Sequence, residues 1–263
     1  MTRAPGISTH RWLLYELTRR EIANRYAGSL SGLAWTFLHP LAQLAIFAFV
    51  VTQVFRASVP ASFPGVSYTA FVAVVLWPWI MFSESVRRGM ASIAANAGLI
   101  RKVAMPSELF VYSAVVACCA IHLAGFVVVL AVLAVAGENV HLAGLFPAAV
   151  ILAPYVLLAT GVALVLAATQ TLLKDVEQAT EIVLSIVFYA TPILYPLTFV
   201  PERWRGAAAM NPLAHLSERL RVVLLNQPAL APEDAIALAG GLAAFAAGLW
   251  VFRRLAPYFE DFL

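Results

Sequence analysis

Residues 19–35 read RREIANRYAGSLSGLAW, and the character of the chain changes halfway through them. Four of the first seven residues are charged, and after Arg25 no charge appears until Arg56. A polar helix therefore runs straight into an apolar one, and the rest of the chain keeps the apolar character. Across 263 residues, 62% are hydrophobic and 12% charged, against about 25% charged in an average soluble domain. The mean hydropathy is +0.86. A soluble fold this apolar would lack the polar surface to cover itself, so the bilayer is the natural solvent. A spanning helix needs roughly 20 mostly apolar residues. Six runs qualify: 33–55, 66–86, 107–136, 144–172, 180–200 and 234–252. The expected fold is an all-α polytopic membrane protein.

No short apolar core with a small-residue cleavage site precedes the first run, so the N-terminus is expected to belong to the mature protein. Placing it in the cytoplasm puts twelve Lys and Arg on the inner side: Arg3, Arg11, Arg19, Arg20, Arg25, Arg87, Arg88, Arg101, Lys102, Lys174, Arg253 and Arg254. Five fall outside: Arg56, Arg203, Arg205, Arg219 and Arg221. The positive-inside rule favours this orientation, with both termini cytoplasmic. The net charge of +3 follows from that asymmetry, and nothing in it asks for nucleic acid. Three zones result: 1–32 at the cytoplasmic surface, 33–252 in the membrane and 253–263 as a cytoplasmic tail.

In the first zone, Glu16 with Arg20 and Glu21 with Arg25 stand four residues apart, a spacing that supports a solvated helix. Trp12, Tyr15, Ile22 and Tyr26 share a face interrupted by Arg19. Basic residues with aromatic anchors suit a helix lying in the membrane interface; a positive stop that only orients the first span would need the same charges. GSLSG at 28–32 supplies the glycines of an elbow into that span.

Chemistry-bearing motifs are missing. No G-x-x-x-x-G-K occurs, the five histidines have no ligand spacing, and GSLSG lacks the central serine of a nucleophile elbow. Adjacent Cys118 and Cys119 point apart on a helix and read as small packing residues. Ion coupling needs ionisable groups deep in spans, whereas Glu84 and Glu108 lie near the inner ends and Glu181 at the edge of the fifth. A transporter with neither coupling acid nor nucleotide site must borrow its energy.

Four stretches carry a family resemblance: YELTRREIANRYAGSLSGLAWTFLHPLAQL at 15–44, WPW at 77–79, NAGLIRKVAMP at 96–106, and LLKDVEQATEIVLSIVFYATPILYPLTFVPERWRGAAAMNPLAHL at 172–216. In order and spacing the chain resembles the permease subunits of ABC-type polysaccharide exporters, with Met105 before Pro106 as one departure from the pattern. The resemblance implies a homodimer with two ATPase subunits that moves lipid-linked polysaccharide across a bacterial inner membrane. ATP and Mg would sit on the ATPase, leaving this chain without cofactor, metal or bond chemistry. The VPERWR and NPL stretches look most like the O-antigen branch. Capsule or teichoic acid export, and a drug or small-lipid exporter, are the neighbouring readings; an embedded polymer-synthesis enzyme would need clustered acids such as D-x-D, which are absent.

The resemblance also assigns parts. The linker 87–106 would hold a coupling helix docking on the ATPase through Asn96, Leu99, Ile100, Arg101 and Lys102, with Lys174 and Asp175 as a second contact. Trp12, Tyr15, Arg19, Arg20, Arg25 and Tyr26 would form the interfacial helix. Between spans five and six, 201–232 is too polar to span and too apolar for a plain loop. Asn211-Pro212 reads as a helix cap with proline at the first helical position, and Leu213, Leu216, Leu220 and Leu224 repeat at helical spacing. Glu218, Arg219 and Arg221 are expected on another face. The resemblance makes this a re-entrant helix pair and a periplasmic gate involving Trp204, Asn211, Pro212, Leu216 and Arg219. Aromatic faces let a sugar chain slide, and Trp35, Phe37, Trp77, Trp79, Phe82, Phe188, Tyr189 and Tyr195 are path candidates; belt and packing positions use the same residue types.

Overall fold

The computed structural model describes residues 11–26, 32–56, 59–102 and 105–262. Among them every regular element is helical. The order is α1 (Arg11–Tyr26), α2 (Gly32–Phe49), α3 (Tyr68–Ala95), α4 (Ala97–Ile100), α5 (Glu108–Val135), α6 (Leu145–Leu172), α7 (Val176–Ala190), α8 (Glu202–Ala209), α9 (Pro212–Leu225), α10 (Pro232–Leu255) and α11 (Phe259–Phe262). A wide turn, Val50–Val54, extends α2.

Helix α3 is the axis of the bundle. The side-chain oxygen of Ser67 accepts the Ala70 N–H at 3.1 Å and starts the helix. Of its most apolar window 83% is buried, between α5 and α6. At about 1.5 Å per residue, the 28 residues of α3 cover about 42 Å, as do those of α5 and α6. Gly137, at φ +87°, ends α5 with the left-handed turn that glycine adopts without strain. Helices α6 and α10 cross closely enough that a side chain on Gly248 would run into the Gly161 backbone. Such small-residue crossings are how helices associate where lipid leaves no hydrophobic driving force between them.

Among the described residues, five helices are long and apolar enough to cross a membrane: Phe37–Val54, Tyr68–Ala95, Glu108–Val135, Leu142–Leu172 and Pro232–Tyr258. The sixth expected span, 180–200, is not one helix. Helix α7 starts earlier and stops at Ala190, because Thr191 turns extended, φ −90° and ψ 134°, as a residue before proline does. Its 15 residues reach about 22 Å, short of a roughly 30 Å hydrocarbon core. Helix α1 packs on α5 with Leu17 buried and Leu13 and Leu14 inward, while Trp12 and Tyr15 face out. The elbow residues 28–31 and the Tyr26 side chain lie outside the described residues.

Candidate functional site

Charge gathers around Glu84. Arg25 of α1 is ion-paired with its carboxylate, Arg88 one turn on donates to it at 2.9 Å, and His122 of α5 places Nε2 2.6 Å away. Arg88 also lies 3.5 Å from Glu21, so α1 is tied to α3 twice and to α5 through the shared carboxylate. A partly buried carboxylate is tolerable with two guanidiniums beside it. Glu84, Cys118 and His122 bring three ligand atoms within 4.8 Å of one another. The histidine spacing missed this because Cys118 and His122 are four apart on α5 while Glu84 comes from α3. With Arg25 and Arg88 already on Glu84, a third cation would meet like charge, and the cluster works as a clamp. Cys118 and Cys119 are both free and buried.

Beside the clamp, Trp35, His39 and Ile80 join Arg25, Glu84 and His122 around a cavity of about 500 Å³. Arg87 donates to Glu181 at 2.7 and 3.0 Å and holds the start of α7 to α3. In the connector after α3, Asn96 donates to the Ser92 carbonyl at 2.9 Å and closes the helix. Leu99 and Ile100 are half-buried against the chain's own core, while Arg101, Lys102, Lys174 and Asp175 are exposed, as are Arg19 and Arg20. The exposed part of the expected coupling contact is thus its charged part.

Four of the eight path candidates face the chain's own core. Trp77, Trp79, Phe82 and Phe188 are buried, so within this chain they act as packing groups. The Trp77 indole donates to the His122 carbonyl at 2.9 Å and fills the space that Gly125 leaves open. Trp79 packs at a tilt against Phe82 and Phe188, centroids 5.8 and 5.6 Å away, and Phe47 stacks on Phe188 at 5.9 Å. Trp35 and Tyr189 are exposed, 60% and 66%. Phe37 and Tyr195 are half-buried, and the Tyr195 hydroxyl donates to the Tyr189 carbonyl at 2.7 Å.

The opposite end is locked by polar bonds. Asn211 accepts the Leu213 N–H at 3.0 Å and donates to Thr191 Oγ1 at 2.8 Å, which pins the start of α9 to the end of α7. Pro212 follows as the first helical residue, and Leu216 is buried. Arg219 grips Asp234 with two bonds, 2.8 and 2.9 Å. Trp204 is exposed. Arg221, expected on a face other than that of the leucines, is fully buried. Its Nε donates to the Phe71 carbonyl at 3.1 Å and Nη2 to the Ile193 carbonyl at 2.6 Å, with Cζ 3.9 Å from the Phe71 ring centre. The leucine stripe is only part of the buried face: Ala214, Ser217, Arg221 and Val223 widen it. Ten residues into α6, about 15 Å along it, the Tyr155 hydroxyl meets Ser217 at 3.0 Å, so α9 runs deep beside α6.

Similarity to known proteins follows the same extent. The chain is 32% identical over 238 residues to the O-antigen export system permease protein RfbA of Myxococcus xanthus, covering 88% of this chain and 86% of the relative. A Klebsiella pneumoniae protein of the same name is 27% identical over 251 residues, 95% of each chain. The polysialic acid transport protein KpsM of Escherichia coli is 22% identical over 221 residues, 84% of each. Residues 13–225, from within α1 to the end of α9, match the ABC-2 type transporter family, and the chain belongs to that family.

Proposed function

We propose that this chain is the membrane permease of an ATP-driven exporter of lipid-linked polysaccharide, with O-antigen as the preferred cargo. The observation that supports this most is the end-to-end match with permeases named for O-antigen export, which covers 95% of both chains in one case. Two copies would form the channel and two ABC ATPase subunits would drive it, binding ATP and Mg on the ATPase. The charge asymmetry supports cytoplasmic termini, and the inner membrane comes with the exporter reading. In this reading α7 is a short sixth crossing. Its start is bound to α3 at Arg87 and its end lies beside the opposite end of α3, where Tyr68 donates to the Leu194 carbonyl at 2.8 Å. The α8–α9 pair is then a re-entrant element on the periplasmic side, with α9 packed against α6 and α3 and α8 exposed.

In this reading force passes from the ATPase to the exposed Arg101, Lys102, Lys174 and Asp175 and through α4 and α7 into α3, whose Glu84 clamp is shared with α1. Of the eight candidates, Trp35, Phe37, Tyr189 and Tyr195 remain available to a sliding sugar chain. Co-purification with a partner ABC ATPase tests the reading. The wild type is expected to hold the ATPase and stimulate its hydrolysis, and Arg101→Glu with Lys102→Glu to lose both. A chain that never associates with an ATPase contradicts the proposal.

A further inference from the structure

Along one face of α10, Phe245, Leu249 and Trp250 with Arg253 and Arg254 line a groove of about 580 Å³. The lower part is apolar and the upper end carries two guanidiniums. Both arginines are exposed. Arg254 lies with Cζ 5.4 Å from the Trp250 ring centre, and Trp250 is itself 62% exposed. Arg253 donates to Glu108 Oε1 at 3.0 and 3.3 Å, so among the described residues Arg254 is the guanidinium of this end with no carboxylate against it.

A separate observation falls beside it. Tyr112 of α5 packs its ring on Phe245, centroids 6.1 Å apart, and its hydroxyl is buried without a hydrogen-bond partner among the described residues. Tyr112 stands one turn from Glu108 on α5, and Glu108 holds Arg253 at 3.0 Å, which sets the tyrosine beside the basic end of the groove. A buried hydroxyl left unpaired costs free energy, and a ligand oxygen at this end would relieve it.

The geometry points to a binding site for one anionic phospholipid. Its acyl chain lies on Phe245, Leu249 and Trp250, its phosphate between Arg253 and Arg254, and a headgroup oxygen accepts from the Tyr112 hydroxyl. Charge complementarity selects this occupant: Arg253 is paired with Glu108, a second apolar helix would leave Arg254 without counter-charge, and basic pockets at the inner membrane surface suit anionic headgroups. The site rests on the proposed orientation, which puts this end of α10 in the cytoplasmic leaflet.

Native mass spectrometry of the purified full-length chain in detergent tests it, with phosphatidylglycerol and phosphatidylcholine as probes. The wild type is expected to bind phosphatidylglycerol about tenfold more tightly, and Arg254→Glu to remove that preference while leaving phosphatidylcholine unchanged. Arg254 is exposed, so its replacement spares the fold. Tyr112→Phe keeps the ring, and is expected to weaken phosphatidylglycerol several-fold with no loss of thermal stability. Equal binding of the two lipids by the wild type overturns the proposal. So does an equal loss in Arg203→Glu at the other end of the molecule, which would mark a general charge effect. Lipid preference is read without any ATPase, so its failure leaves the exporter reading standing, and failure of ATPase association leaves the lipid site standing.

Discussion

Replacing Arg221 with methionine is the sharpest test of how the α9 end is held. The guanidinium is fully buried and spans two carbonyls on different segments, Phe71 of α3 and Ile193 after α7. Hydrogen bonds involving a charged group contribute about 1.5–3 kcal/mol each, so losing both costs about 3–6 kcal/mol. The third partner, Glu218, is 34% exposed, and a bond there is worth at most about 1 kcal/mol. Methionine fills most of the volume and needs no counter-charge, which offsets part of the loss. Breaking a buried charged contact generally costs about 3–5 kcal/mol, and that is the expected net effect. At roughly 2–4 °C per kcal/mol for a chain of this size, the melting temperature of purified protein should fall by about 6–20 °C. Arg221→Lys keeps the charge but reaches one carbonyl at a time, so its loss should be about half. Tryptophan fluorescence melts in detergent measure both, and limited proteolysis of 191–211 reports whether the α7–α9 junction loosens first. A methionine variant melting within about 2 °C of wild type would refute the reasoning, because the two carbonyls would then need no guanidinium.

Further outcomes follow from the other contacts. Glu84→Gln leaves Arg25 and Arg88 with a neutral partner and should cost about 2–4 kcal/mol, seen as faster hydrogen exchange in α1 and weaker ATPase stimulation; unchanged exchange in α1 would show that its leucines alone hold it. Gly248→Val presses on the Gly161 backbone and should abolish folded protein in the membrane, whereas Gly240→Ala meets nothing within 4 Å and should be neutral; equal yields would contradict the close crossing. Trp77→Phe loses the bond to the His122 carbonyl, about 1 kcal/mol, and should lower stability while sparing transport. Trp35→Ala should do the reverse, and a stability loss there with transport intact would place Trp35 among the packing groups.

The long helices were legible because lipid requires unbroken apolar runs: α5 and α6 end within a residue of the runs that announced them, whereas α3 continues to Ala95, nine residues beyond its run and into the expected 87–106 linker. Helix α7 was misplaced because hydropathy continues through Thr191 and Pro192 while the backbone does not. The Asn211-Pro212 cap was readable since both partners are local in sequence. Glu84 with Arg25 and His122 was not, because three separate helices supply it. Arg221 defeats any reading that assigns charge to solvent; only the neighbouring small and polar residues, Ala214 and Ser217, hinted at a wider buried face. The buried aromatics of α3 were assigned by residue type, and which side of a helix a tryptophan faces depends on neighbours hundreds of chain atoms away. On α1 the aromatic face drew attention from Leu13, Leu14 and Leu17, which do the packing.

The central claim is ATP-driven outward movement of a polysaccharide, and transport itself measures it most directly. Proteoliposomes holding this chain and its ATPase, loaded on the ATPase side with lipid-linked O-antigen, can be probed with an antibody that reaches only the far leaflet. The account predicts antibody-accessible polymer that rises with ATP and stays at background with a non-hydrolysable analogue or with Arg101→Glu and Lys102→Glu. Polymer that appears equally without hydrolysis, or never appears while the ATPase turns over in complex with the chain, would contradict it.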